Sequence, residues 1–132
     1  FDNMIQLLEK IQFDRVGVFK FSREDGTPSA DLPDQISSRL KEKRYRTLIE
    51  WTSEQARQRN VKFIGEILPV LIDRKAEDGA YWGRYHGQAP EVDGQVHVKG
   101  GKLNVGEFVY VRITEADEDN LFGHINADVI AI

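Results

Sequence analysis

The side chains best suited to chemistry are few and scattered. His86, His97 and His124 lie far apart, with no H-x-x-x-H interval to set two imidazoles on one helix face for a metal. They read instead as strand residues, exposed or half-buried. Cysteine is absent. That excludes a thiolate nucleophile, a disulfide framework, a thiolate zinc site and a cysteine-held iron–sulfur cluster on this chain. No nucleophile sits beside a base, and the glycine pairs do not open into helices, so no phosphate loop is present.

The stretch Tyr81, Trp82, Arg84, Tyr85 and His86 is more informative. In a strand, Tyr81 and Tyr85 share one face and Trp82 and Arg84 the other. Aromatic rings with an arginine on a barrel strand can stack nucleic-acid bases. The competing expectation is that at least one ring fills the core. Glu115, Asp117, Glu118 and Asp119 cluster where a turn is expected, and a solvated loop accounts for them.

Charge divides the chain of 132 residues into three blocks. Residues 1–34 carry 4 basic and 7 acidic groups, residues 35–62 carry 8 and 3, and residues 63–132 carry 6 and 12. The blocks total −3, +5 and −6, matching the net −4. A basic middle could track phosphates or simply be solvated. An acidic end suits a basic protein better than a phosphate chain.

These side chains need elements to position them. Phe1, Met4, Ile5, Leu8 and Ile11 recur at helical spacing. Val16, Val18, Phe19 and Phe21 then predict a short buried strand. A helix and a strand alone cannot cover both strand faces, so residues 1–21 read as the end of a larger α/β domain. Residues 22–35 read as a linker punctuated by Gly26, Pro28 and Pro33. A basic helix is expected from about Pro33 or Asp34 to Arg59, with Asn60 just past its end and Ile36, Leu40, Thr47 or Leu48, and Trp51 in a thin apolar stripe.

From residue 63 the period changes to two. Strands are expected at 64–73, 80–85, 95–99, 107–114 and 121–130, with Asp78-Gly79, Gly100-Gly101 and Asp117–Asn120 as turns. Pro69 marks an edge or bulge. The pattern predicts a small closed antiparallel barrel. No apolar run approaches the roughly 18–20 residues that span a bilayer. The start, FDNMIQLLEK, carries no signal-peptide features and reads as that of a processed or truncated chain.

Read together, FDRVGVFKFSREDGT, LPDQI, the basic helix and the terminal barrel resemble the C-terminal part of a radical-SAM methylthiotransferase. FSREDGT at 21–27 and RYHGQAPEVDG at 84–94 are closer to the RimO type, which modifies an aspartate of the twelfth small-subunit ribosomal protein. The MiaB type modifies adenosine in transfer RNA and tends to carry S-P-R-P-G-T at the first position. Phe21 replaces the usual tyrosine.

The resemblance implies an α+β chain: a helix–strand remnant of the radical-SAM barrel at 1–21, a linker and basic helix at 22–60, and a TRAM module, a five-stranded antiparallel OB-like barrel, at 61–132. It places Phe19 and Phe21 either beside the adenosyl pocket or in plain core. It implies S-adenosylmethionine and two iron–sulfur clusters for the family's activity, but no residue here matches the cluster cysteines. No catalytic, cofactor-binding or metal residue is carried over.

The expected function is the substrate-recognition end of a cytoplasmic RimO-type enzyme, with RNA binding in a MiaB-type enzyme as the alternative. Expected contacts to a basic ribosomal protein are Trp82, Arg84, His86 and Asp93, with Glu115 and Asp117 on an acidic rim. An RNA-binding module would instead stack bases on Tyr81, Trp82 and Tyr85, and a stand-alone interaction domain is the third reading. An exposed strand within 1–21 would invite a non-native dimer.

Overall fold

The computed structural model describes residues 1–126. They fall into two compact units, Phe1–Glu54 and the remainder from Gln55.

In the first unit the expected helix forms as α1, Asp2–Ile11. It stops at Gln12, whose left-handed φ of 54° lets its N–H bond the Leu8 carbonyl at 3.0 Å. The apolar stripe is only partly covered: Ile5 and Leu8 are half-buried, while Met4 and Ile11 are exposed.

The predicted strand at 16–21 does not form. Residues 12–23 contain no strand, and Phe19 is 93% exposed. A strand needs a neighbour for its backbone donors and acceptors, and no strand lies in this unit among the described residues. The strand edge expected to drive dimerisation is therefore missing too.

Side chains of the basic helix hold the segment instead. Lys20 Nζ donates to Glu42 at 2.8 Å, and Lys41 Nζ donates to the Phe21 carbonyl at 2.9 Å. Lys41 also sits over the Phe21 ring, Lys20 over Tyr45 and Arg44 over Phe1, at 5.1–5.3 Å.

The linker contains a single 3-10 turn, Pro28–Ala30, that buries Ala30. The basic helix, α2, spans Ser38–Val61 and starts later than Pro33 or Asp34. Ser37 caps it, its Oγ accepting the Leu40 N–H at 3.3 Å. Asp34 sits at φ 60°, outside helical geometry. At 24 residues the helix is about 36 Å long. Leu48 alone among the stripe residues is buried, Trp51 is half-buried, and Ile36 and Leu40 are exposed.

The second unit is a closed barrel of five strands in the order β1-β2-β3-β5-β4. They are β1 (Ile67–Lys75), β2 (Tyr81–Arg84), β3 (Val96–Lys99), β4 (Phe108–Ala116) and β5 (Leu121–Ile125). The expected strand 121–130 extends beyond the described residues from position 127.

The barrel is mixed, not antiparallel, because β3 and β5 run parallel. An odd number of strands cannot alternate direction all the way round a closed ring, so one pair must match. Pro69 lies in the part of β1 that pairs with β4 before pairing with β2 begins at Leu71, in keeping with an edge position. The bulge falls later, between Ile72 and Arg74. Inward-facing Val70, Ile72, Tyr81, Val96, Val98, Val111, Ile113 and Leu121 make the core.

Candidate functional site

The alternation along β2 settles where its rings go. Tyr81 and Gly83 face inward, and Trp82 and Arg84 face outward. Tyr81 is 7% exposed, and its hydroxyl accepts the Leu103 N–H at 3.2 Å. Tyr85 is half-buried with its ring 5.3 Å from Phe63. Those two rings pack the barrel, which leaves Trp82 as the outward aromatic of the stretch.

Cross-strand register carries Trp82 into a longer row. Arg74 pairs with Trp82, Trp82 with His97, His97 with Phe122, and Phe122 with Glu115, so β1, β2, β3, β5 and β4 each add one residue. Side chains at paired positions share a face and interact. The Arg74 guanidinium lies 5.5 Å over the Trp82 ring. Trp82 meets His97 edge-on at 4.6 Å, and His97 lies 5.9 Å from Phe122.

His97 is 7% exposed, covered by these neighbours although it points away from the core. Its Nε2 lies 3.1 Å from Asp78 Oδ2, and its Nδ1 has no hydrogen-bond partner among the described residues. Asp78 belongs to the β1–β2 turn, where its Oδ1 accepts the Ala80 N–H at 3.1 Å.

Two shallow hollows flank Arg74. One of about 290 Å³ is lined by Arg74, Ala76, Glu77, Asp78, Trp82 and His97. The other, about 520 Å³, includes Arg74, Glu91, Asp93, Gln95 and Asp119. Gln95 Oε1 accepts from Arg74 at 2.9 Å and helps fix the arginine between them. Carboxylates outnumber the cation on this face.

The other expected contact residues are placed as follows. Arg84 is half-buried and ion-paired with Asp73. His86 is exposed, its ring edge-on to Tyr85 at 5.5 Å. Asp93 accepts the Ala89 N–H at 2.8 Å, and Asp117 accepts the Asp119 and Asn120 N–H groups at 2.8 and 2.6 Å. Both carboxylates thus brace their own loops. Glu115 is exposed at the end of the row.

Of the six expected residues, only Trp82 and Glu115 share the row. Arg74, His97 and Phe122 join it through strand register, which no single segment displays. Among the described residues no group of three His, Cys, Asp or Glu side chains could hold a metal ion.

The second unit is a small closed barrel bearing a polar and aromatic outer face, and residues 64–125 match the TRAM domain family. Over 127 residues, 95% of the chain, the sequence is 39% identical to ribosomal protein uS12 methylthiotransferase RimO of Geobacter sulfurreducens. The enzyme of the same name from Roseiflexus sp. is 43% identical over 129 residues, and that of Desulfitobacterium hafniense 37% over 126. The resemblance drawn from FSREDGT and RYHGQAPEVDG therefore holds along nearly the whole chain. The chain spans 27–28% of the length of these relatives.

Proposed function

We propose that this chain is the substrate-recognition end of a RimO-type methylthiotransferase, and that its barrel docks a basic ribosomal protein, uS12. The observation that carries the reading is the 37–43% identity to enzymes of that name over 95% of the chain. It favours the ribosomal-protein reading over the tRNA-modifying alternative. The charge of residues 63–132, 12 acidic groups against 6 basic, points the same way. Complementary charge would set approach rate and register more than affinity.

The contact surface on this reading includes Trp82, with Arg84, His86, Asp93, Glu115 and Asp117 around it. A chain that docks a ribosomal protein would work in the cytoplasm. No described helix is long and apolar enough to cross a membrane.

The iron–sulfur clusters used by such enzymes do not fit the residues present. Cluster ligation calls for thiolates, and the sequence has no cysteine. No step of the transfer is assigned to this chain; its residues bind and orient. A competition experiment tests the reading: labelled uS12 bound to the chain is challenged with excess tRNA. Retention of uS12 supports the proposal, and displacement by tRNA favours the RNA-binding alternative.

A further inference from the structure

We propose that the hollow between Trp82 and Asp78 is a seat for a lysine or arginine side chain of a basic polypeptide, and that Arg74 occupies the Trp82 ring until that side chain arrives. The inference deepens the docking function above and rests on it for the identity of the partner. Its chemistry is argued from the hollow itself.

A guanidinium already lies against the Trp82 ring, that of Arg74 at 5.5 Å. The surface is thus shaped to receive a planar cation. Glu77 and Asp78 form one wall of the hollow, and Glu91, Asp93 and Asp119 line the neighbouring one beyond Arg74. A phosphate chain entering here would meet these carboxylates, whereas a cation would be drawn in.

His97 adds a second, independent feature. Asp78 lies 3.1 Å from Nε2, while Nδ1 has no partner among the described residues. The ring lines the hollow and is 7% exposed. A buried polar atom without a partner is costly, and a rearrangement of the hollow that supplies one relieves that deficit. Aromatic face, carboxylate wall and unpartnered ring nitrogen together suit a polar cation.

Arg74 sets the threshold for entry. Its guanidinium is exposed, held by Gln95 and the ring rather than by a carboxylate pair. An arriving cation must displace it and meets its like charge on the way. Removing that charge while keeping an apolar stem therefore favours the partner.

The test uses the full chain and three probes: uS12, a short oligoarginine peptide, and single-stranded oligouridylate. Binding is titrated for the unaltered chain, Arg74→Met and Trp82→Ala, with circular dichroism melts as a check on folding. Arg74→Met is expected to tighten uS12 and peptide binding by roughly three- to fivefold, and Trp82→Ala to weaken both by a similar factor. Indole resonances should report the peptide at Trp82 and leave Trp51 unmoved.

Unchanged or weaker uS12 and peptide binding by Arg74→Met overturns the seat. So does oligouridylate binding tighter than the peptide and weakened by both substitutions. If the peptide seats at Trp82 while uS12 does not bind, the seat stands and the docking function falls. If uS12 binds indifferently to both substitutions, the seat falls and the docking function stands.

Discussion

Asn60, in the last turn of α2, donates its side-chain amide to the Asp117 carbonyl at 2.9 Å, bridging 57 residues of sequence. The same nitrogen reaches the Glu118 carbonyl at 3.3 Å, and Asn60 is 5% exposed. It thereby pins the acidic β4–β5 turn from outside the sheet. Asn60→Ala leaves two carbonyls short of a donor and is expected to cost about 1–3 kcal/mol. A urea titration followed by barrel circular dichroism checks this; an unchanged midpoint would show that the bridge contributes nothing.

Gly94 closes the APEVDG stretch because nothing larger fits. A Cβ there would stand 1.5 Å from the Asp119 carbonyl oxygen. Gln95 beside it begins the parallel β3–β5 pairing, its N–H donating to Asn120 Oδ1 at 2.9 Å and its carbonyl accepting the Leu121 N–H at 3.0 Å. Gly94→Ala must push those loops apart, at a cost of about 1–3 kcal/mol. Amide exchange should accelerate first at Gln95 and Leu121. Protection equal to that of the parent at both would contradict the packing argument.

The clamp on residues 20–21 carries a pH signature. The hydrogen bond from Lys20, then that from Arg46, lowers the Glu42 carboxyl below its ordinary 4.5. The hydrogen bond and charge of Glu42 raise Lys20 above 10.5. Glu42's contribution is thus present above 4.5 and is lost as pH falls through its lowered value. That of Lys20 is present below 10.5 and is lost as pH rises through its raised value. Both groups are solvent-facing, so the effect is small and salt-sensitive. Backbone chemical shifts of residues 19–22 should move away from their neutral-pH values at the acid and alkaline extremes. Glu42→Gln should remove the pH dependence, and its persistence in that variant would assign it to other groups.

Several features were legible in the sequence because they are local. Period-two runs between glycine turns announced the five strands, and the spacing of Met4, Ile5 and Leu8 announced α1. Trp82 stood out as an aromatic beside an arginine, with at least one ring of the stretch due in the core, and the structure gives Tyr81 to the core. What was not legible depends on pairing. Val16–Phe21 has the composition of a strand but no neighbour, so its lysine is held by Glu42 instead of a sheet. His97 looked like an ordinary strand histidine until register set it between Trp82 and Phe122. Arg74 follows a bulge that no residue pattern announces, and the parallel β3–β5 pair follows from closing an odd ring.

On the proposed function, the barrel recognises a basic protein rather than RNA. Titration of the chain with uS12 and with a tRNA, each at two salt concentrations, tests it most directly. Tighter binding of uS12 than of tRNA is expected at both. Tighter binding of tRNA, with affinity falling steeply as salt rises, would contradict it.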